Sequence, residues 1–370
     1  MGKKSNRRTK SYPLVSICTP TFNRRPFFPY LIKCIEAQDY PKEKIEWIII
    51  DDGTDKIGDL VKDIPYVKYY SFDEKMVLGK KRNLMHEKSL GEIIVYIDDD
   101  DYYPPERISH AVETLIKNPK ALCAGSSELY LYFKHLKKIY KFGPYGPNHG
   151  TAGTFAFRRQ LLKHTSYEDT AALAEEKHFL KNYTIPFVQL DPMKTILVFS
   201  HPHNTFDKRE LLENGPTDYI KETNKEVSEF IKNEDIREFY MVRIEELLNN
   251  YEAGDIKNKP DVIKQTQEIR EKREKLKEEI AIQEQKNNMT SIVMTTGDGV
   301  SRQLSVFDCA QIIKQQQQII RDLKNAMDQL QGNMKQLQEN GIQLQERYET
   351  LKAYAQHLQS QLQSKTIINL

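Results

Sequence analysis

The sequence has no long apolar run and no excess of charge of either sign. A membrane-spanning helix needs about 20 consecutive apolar residues, and no apolar stretch in this chain approaches that length. Lysine and arginine number 55, and aspartate and glutamate number 53, so the formal net charge of the 370 residues is only +2. This balance gives no support to a general role in binding nucleic acids or membrane surfaces. We therefore expect no nucleic-acid partner and no membrane span.

Cysteine is also scarce, and its spacing argues against a disulfide framework or a zinc site. The four cysteines are Cys18, Cys34, Cys123 and Cys309, and no two of them form a CxxC pair. Isolated cysteines of this kind are typical of reduced proteins, so we predict a reducing, cytoplasmic compartment. Residues 1–11 are basic and lack the apolar core of a secretory signal, which predicts a disordered tail.

What the sequence does contain is a buried-strand pattern that runs directly into a cluster of carboxylates. Residues 93–97 are apolar and mostly β-branched, which is typical of a central strand in a parallel sheet. Four aspartates, Asp98 to Asp101, follow without a gap, at the strand end where open α/β sheets bind ligands. Their mutual repulsion would cost on the order of several kcal/mol unless a cation neutralised it. Oxygen ligands of this kind suit Mg²⁺ or Mn²⁺, whereas the competing interpretation is a solvated acidic loop.

Other polar groups follow the neighbouring predicted strands. The first strand, residues 12–18, leads into the loop TPTFNRR, and the second, residues 45–50, ends in the acidic turn 51–55. A basic set at residues 80–82 begins the helix that precedes the central strand. The alternation of strands and helices predicts a parallel α/β sheet, in which these groups converge on one edge. A nucleoside diphosphate with its metal would fit that edge.

Two later places in the chain carry candidate chemistry. Residues 171–183 predict a helix with Glu175 and Glu176 in its first turns. After a later apolar run come His201 and His203. If this stretch is extended, both side chains lie on one side of it, and one of them is placed to complete a metal site. The alternative is a pair of loop histidines without a ligand role.

The rest of the chain is predicted to be mostly helical. Residues 216–288 predict a charged helical region, and residues 289–308 are either a linker or a small hairpin. Residues 309–365 predict a coiled coil, because six consecutive d positions are leucine when Ile313 is taken as position a. A lone helix of this kind would leave its leucines in water. We therefore predict a homo-oligomer, dimer or trimer, formed through residues 313–362, and the alternative is a helix packed on the body.

Five motifs, in order, make residues 12–215 resemble a family 2 glycosyltransferase with the GT-A fold. The motifs are VSICTPTFNRR, WIIIDDGTD, GKKRN, VYIDDDDYYPPERI and AEEKHFL. The resemblance implies a Rossmann-like, mostly parallel α/β sheet flanked by helices. The wording of the motifs also resembles glycosyltransferases of large DNA viruses, which would make the host cytoplasm or the virion the location. The resemblance does not reach the predicted coiled coil.

The resemblance also implies roles for individual residues. Thr19 and Asp52 would contact the uracil, and Asp98 would face the ribose or the sugar. Asp100 would bind Mn²⁺ or Mg²⁺ directly, and Glu176 would be the general base. The family usually has Glu-Asp where this chain has Glu175-Glu176. The implied nucleotide-sugar site as a whole consists of Thr19, Pro20, Thr21, Arg24, Asp52, Arg82, Asn83, Asp98 and Asp99.

Together these features predict metal-dependent, inverting transfer of one sugar from a UDP-sugar to a hydroxyl group of a glycan, a protein or a lipid. The Gln-x-x-Arg-Trp signature of processive synthases is absent from the sequence, which favours the addition of single sugars. One alternative is a sugar-nucleotide pyrophosphorylase, but TPTFNRR lacks the glycine that its phosphate loop would need. The other is an oligomeric scaffold with a vestigial site, in which the repulsion among the aspartates would serve no purpose.

Overall fold

The computed structural model describes residues 12–173, 176–212, 217–289, 291–295 and 301–368. The predicted basic tail lies outside these residues. The chain divides into two compact units, the first ending at Glu271 and the second beginning at Lys272. The boundary therefore falls inside a long helix, whereas the sequence predicted the first domain to end at residue 215.

The described residues form strands and helices whose bounds are as follows. The strands are β1 (Val15–Thr21), β2 (Ile45–Asp51), β3 (Val67–Ser71), β4 (Ile93–Tyr96), β5 (Cys123–Gly125), β6 (Leu129–Phe133), β7 (Lys138–Phe142), β8 (Ala156–Arg158), β9 (Phe187–Gln189), β10 (Leu197–Ser200), β11 (Ile220–Glu222), β12 (Ser291–Thr295) and β13 (Ser301–Ser305). The α-helices are α1 (Phe28–Glu36), α2 (Gly58–Val61), α3 (Leu78–Lys88), α4 (Arg107–Lys117), α5 (Glu176–Phe179), α6 (Val227–Phe230), α7 (Glu234–Glu238), α8 (Ile244–Asn249), α9 (Pro260–Met289) and α10 (Val306–Ile368).

A mixed seven-stranded sheet forms the centre of the first unit, in the order β3-β2-β1-β4-β8-β5-β9. Strands β3, β2, β1 and β4 are parallel to one another. Strand β8 runs antiparallel to both β4 and β5, and β9 is parallel to β5. The prediction of an α/β fold with a mostly parallel sheet is therefore confirmed.

The central position of β4 explains why its sequence is apolar throughout. Its four residues are between 0% and 2% exposed. Ile93 and Val95 belong to one apolar core and Ile94 and Tyr96 to another, because successive side chains point to opposite faces of the sheet. The fully buried Arg107 donates hydrogen bonds to three carbonyl groups at this end of the sheet, those of Tyr96, Thr154 and Phe155, at 2.8–3.2 Å. The strand end that precedes the aspartates is thus held firmly.

A second sheet of four strands, in the order β10-β6-β7-β11, packs against the helices α6 to α8. The apolar residues of this region are buried against this sheet, among them Phe230 of α6 and Phe239 and Tyr240 of the π-helical turn that joins α7 to α8. Residues 227–249 therefore belong to the body of the first unit, although the sequence predicted a separate charged region. The Tyr240 hydroxyl donates to the carbonyl of Asp101 at 2.8 Å, which ties these helices to the acidic loop.

The second unit contains an antiparallel hairpin of β12 and β13, followed by α10. The hairpin lies within residues 289–308, for which the sequence analysis predicted either a linker or a small hairpin. Helix α10 contains 63 residues, and five of its leucines, at d positions 323 to 351, leave 63% to 69% of their surface exposed. The long C-terminal helix is present, and its pairing into a coiled coil stays a prediction. Among the described residues, no helix combines the length and the apolar character that crossing a bilayer requires.

Candidate active site

The ends of β1, β2 and β4 meet the start of α3, as the sequence predicted. Lys81 forms a buried ion pair with Asp52 and donates to the carbonyl of Thr21 at 3.1 Å. Arg82 places Nη2 3.8 Å from Oδ1 of Asp98, and its guanidinium lies 4.5 Å from the ring centre of Tyr96. The basic residues of α3 therefore neutralise carboxylates that follow two different strands.

The two aspartates at the end of β2 have different tasks. Asp51 accepts hydrogen bonds from the backbone of Gly53 and Ile57, each at 3.0 Å, and so closes the turn. Asp52 is buried and, besides its ion pair with Lys81, accepts the amide of Met76 at 2.6 Å. Asp52 is thus the member of the pair that faces the site.

Asp100 and His201 form the centre of the acidic loop. Oδ2 of Asp100 lies 3.2 Å from Nε2 of His201 and 3.4 Å from Nη2 of Arg24. Burial alone would raise the pKa of Asp100, but the contact with His201 and the charge of Arg24 outweigh it and hold this pKa well below its usual value. Burial lowers the pKa of His201 to about 3, so its imidazole is neutral. An ionised carboxylate and a neutral imidazole are the forms that bind a divalent metal.

The spacing of this pair fits a metal ion. Two ligand atoms about 2.1 Å from one ion, on adjacent corners of an octahedron, are about 3.0 Å apart. The 3.2 Å between Asp100 Oδ2 and His201 Nε2 is close to that value. Within the described part of the chain, no group of three or more His, Cys, Asp or Glu side chains is placed to hold a metal. The chain would therefore supply two ligands and leave the other positions to phosphate oxygens and water, as is usual for Mg²⁺.

The other aspartates of the loop surround this pair. Asp99 lies 3.5 Å from Nε of Arg24, and burial raises its pKa to about 7. Burial likewise raises the pKa of Asp101 to about 8, and its carboxylate accepts the Phe199 amide at 3.0 Å, which joins the loop to β10. Asp98 is only half-buried, and a Cβ atom at Gly153 would come within 2.6 Å of its Oδ2. Glycine at position 153 therefore leaves room for the Asp98 carboxylate.

His201 and His203 do not lie on the extended segment that their predicted shared side required. The residues after β10 form a turn rather than an extended segment, with the amide of Asn204 bonded to the carbonyl of His201 at 3.1 Å. The His203 ring instead packs near Tyr251, and a Cβ at Gly254 would come within 2.7 Å of its Nδ1. Its carbonyl accepts Nη2 of Arg24 at 2.6 Å. His203 therefore holds the Arg24 side chain through its backbone.

Two residues that were predicted to bind the nucleotide sugar have side chains that form hydrogen bonds with other residues of the protein. Strand β1 extends to Thr21, so Thr19 lies within it, and its hydroxyl donates to Ile97 at 2.7 Å and accepts from Trp47 at 2.9 Å. The amide of Asn83 bonds to the backbone of Tyr167 and, at 2.7 Å, to the Asp169 carboxylate. These contacts differ from the expected ones with uracil and uridine.

Pro20, Thr21 and Arg24 follow at the edge of the site. Pro20 is half-buried, and Thr21 and Arg24 are buried. Arg24 contacts Asp99 and Asp100 at once, through different nitrogen atoms. The loop after β1 therefore supplies a positively charged side chain, that of Arg24, which partly neutralises the aspartates of the acidic loop.

Glu176 begins α5, which is much shorter than the helix predicted over residues 171–183. Upstream, the carbonyl of Ala171 accepts the amide of Gly79 at 2.8 Å, which fixes the chain in a non-helical path. Downstream, residues 181 to 183 have φ angles of 49°, 54° and 63°, in the left-handed region. Tertiary contacts thus override the helical pattern. Glu176 is half-buried, and Glu175 lies outside the described residues.

Lys259 was missed by the sequence analysis. It is only 5% exposed and lies close enough to Asp99 and Asp100 to feel their negative charge. Burial lowers its pKa to about 7, Arg24 adds to this effect, and the two aspartates oppose it. Lys259 lies between Asn258 and Pro260, and the sequence analysis did not distinguish it from the exposed Lys257 two positions earlier.

Comparison with known families identifies one domain. Residues 16–169 match the family model described as Glycosyl transferase family 2. The matched segment runs from β1 to beyond β8 and includes the candidate nucleotide-sugar residues from Thr19 to Asp99 and the candidate metal ligand Asp100. It supports a family 2 glycosyltransferase domain in this part of the chain. Glu176, His201 and Lys259 lie beyond it.

Individual relatives are similar over part of their length. The glucosyl-dolichyl phosphate glucuronosyltransferase of Haloferax volcanii is 30% identical over 117 residues, which are 30% of this chain and 37% of that protein. The GalNAc(5)-diNAcBac-PP-undecaprenol beta-1,3-glucosyltransferase of Campylobacter jejuni is 32% identical over 112 residues, 28% of this chain and 34% of that protein. The chain thus spans about a third of these relatives. Among solved structures, the mannosyltransferase PcManGT from Pyrobaculum calidifontis, in complex with GDP-Man and Mn²⁺, has a TM-score of 0.42 and 18% identity, covering 51% of this chain and 57% of that one.

Proposed function

We propose that this chain, with its glycosyltransferase family 2 domain, is a metal-dependent, inverting enzyme that moves a single sugar from a UDP-sugar to a hydroxyl group of a glycan, a protein or a lipid. The observation that carries the proposal is the pair of Asp100 and His201, whose side chains are 14% and 5% exposed and whose facing atoms are spaced as two ligands of one ion. Arg24 contacts Asp100, and Lys81 and Arg82 of α3 pair with Asp52 and Asp98, so the candidate site contains the positive charge that a diphosphate would require.

In this mechanism Asp100 and His201 would hold the metal, and the contact with His201 together with the charge of Arg24 keeps the Asp100 carboxylate ionised. When bound, Mn²⁺ or Mg²⁺ supplies positive charge that stabilises the departing diphosphate. Glu176 takes the proton from the acceptor hydroxyl, whose oxygen then attacks the anomeric carbon from the face opposite the diphosphate. The bond from the anomeric carbon to UDP breaks, UDP leaves with the bonding electrons, and the sugar is inverted.

The test is UDP release from a panel of UDP-sugars in the presence of Mn²⁺. We expect at least one donor to yield UDP and the chelator EDTA to stop the release. UDP release that continues at the same rate in EDTA would contradict the proposed dependence on a metal ion. Formation of a UDP-sugar and pyrophosphate from UTP and a sugar 1-phosphate would instead support the pyrophosphorylase. If no UDP-sugar yields UDP, the result would favour the interpretation of the chain as an oligomeric scaffold with a vestigial site.

We also propose that a second copy of the chain covers the leucines of α10. Each buried leucine side chain contributes roughly 1.5–3 kcal/mol, so exposure of the d positions in a single chain is unfavourable. Light scattering coupled to size exclusion should give the mass of a dimer or a trimer. The double variant Leu330→Lys and Leu337→Lys should lower this mass to that of a monomer, because charges at d positions destabilise the paired state.

The matched control adds the same charge one position earlier in each heptad. Gln329 and Gln336 are exposed c positions of the same repeats, and Gln329→Lys with Gln336→Lys should leave the mass unchanged. A wild-type protein with the mass of a monomer would contradict the proposal that a second copy of the chain covers the leucines of α10. UDP release should persist in both double variants, because the donor residues lie in the first unit.

A further inference from the structure

A segment beyond the matched domain lies against the loops of the candidate donor site. Residues 251–265, which we call the strap, contact the loops that follow β1 and β2. The hydroxyl of Tyr251 donates to Oδ2 of Asp55 at 2.8 Å, and Nδ2 of Asn23 donates to the carbonyl of Ala253 at 2.8 Å. The strap therefore begins on the two loops that carry Arg24 and Asp52.

The other end of the strap is fastened next to α5. Gln265 accepts the amide of Ala172 at 2.8 Å and donates to the carbonyl of Thr170 at 2.6 Å. Between the two ends, Asp261 forms an ion pair with Lys75, which belongs to the loop before α3. Contacts at three places, all within the first unit, hold the strap across the same edge of the sheet.

The middle of the strap carries Lys259, which is nearly fully buried. Its charge interacts with those of Arg24 and Lys81, which repel it, and with those of Asp99 and Asp100, which attract it. Burying an ammonium group costs on the order of several kcal/mol unless negative charge compensates. The aspartates supply part of that charge, but Asp99 is shared with Arg24 and Asp100 with Arg24 and His201. A further anion would therefore stabilise the charged form of Lys259.

We propose that the strap is part of the donor site and that Lys259 binds the diphosphate of the nucleotide sugar. This inference rests on the proposed function, because the diphosphate is the anion that a metal at Asp100 would bring to this cluster. Lysine serves as a point charge for phosphate groups in such sites. The strap thereby places a donor-binding side chain in the site from outside the segment that matches family 2.

The test compares the binding of UDP and of uridine to Lys259→Met, which keeps the side-chain stem but removes the charge. Calorimetric titration in Mn²⁺ should show UDP binding weakened by 10-fold or more, whereas uridine, which has no phosphate, should bind as it does to the wild type. A purely structural lysine would affect both ligands equally. Lys257→Ala is the matched control, because Lys257 is exposed and its ion pair, at 4.0 Å, is with Glu252. This variant should bind UDP normally.

A second measurement uses the wild-type protein and does not depend on how the variant folds. UDP should slow hydrogen exchange of the backbone amides in residues 251–265, and uridine should slow it much less. UDP affinity that Lys259→Met leaves unchanged, equal losses for both ligands, or a strap that UDP does not protect would each overturn the inference. The proposed function would survive those results. Wild-type protein that binds no nucleotide would overturn both.

Discussion

Replacing Asp100 by asparagine is expected to abolish UDP release and to remove the dependence of UDP binding on Mn²⁺. Asparagine keeps the size of the side chain but removes the negative charge that a divalent ion needs at this position. Because metal coordination contributes several kcal/mol to stabilising a departing diphosphate, turnover should fall by about 10³-fold or more. Steady-state UDP release and titration of UDP with and without Mn²⁺ measure the two effects separately.

Asp101 is the matched control, because it is the next buried aspartate of the same loop and has a different partner. Its Oδ1 accepts the amide of Phe199 at 3.0 Å, and the amide oxygen of an asparagine can accept the same bond. Asp101→Asn should therefore keep its Mn²⁺-dependent UDP binding. Normal turnover in Asp100→Asn would remove the metal from the mechanism. Equal losses in the two variants would mean that the loop conformation, not the ligand charge, was disturbed.

The parts of the site that could be predicted from the sequence depend on local patterns. A β-branched apolar run followed by aspartates predicts a buried strand with an acidic end. Both features of β4 could be predicted because the apolar residues and the aspartates are adjacent in the sequence. The approach of Lys81 to Asp52 followed from the rule that parallel strands end at one edge. These are short-range or topological arguments that need no knowledge of side-chain packing.

Other features depend on contacts that no local pattern records. The turn closed by Asn204 separates His203 from His201, although an alternating pattern would have put them on one side. The bond of Thr19 to Trp47 forms within β1, which ends three residues beyond the predicted strand. The prediction of α5 failed for the same kind of reason, because Gly79 fixes the backbone of Ala171. In the last two cases a hydrogen bond between distant segments decided the outcome.

Lys259 is the extreme example. It lies about 160 residues beyond Asp99 in the sequence. The fastening of Tyr251 and Gln265 at the two ends of the strap brings it near the candidate site. A lysine in a mostly polar segment therefore looks like a solvated residue in the sequence, although it is buried in the structure.

Glu176→Gln is expected to lower kcat for sugar transfer by about 10² to 10⁴-fold, the usual contribution of a general base. Glutamine keeps the shape and the polarity of the side chain but cannot take the proton of the acceptor hydroxyl. Since Glu176 does not belong to the acidic loop, UDP affinity and the donor KM should stay within about twofold of the wild type. Initial rates at varied donor and acceptor concentrations, together with UDP titration, measure this division between kcat and binding.

Two companion variants make this result decisive. Glu168→Gln is the matched control, because Glu168 precedes α5 and has an exposed carboxylate whose recorded ion-pair contact is with His178 at 3.7 Å. It should transfer sugar normally. Glu175→Gln examines the other glutamate of the motif, and a loss confined to that variant would assign the base to Glu175. If neither glutamate affects kcat, the acceptor hydroxyl must lose its proton to another group.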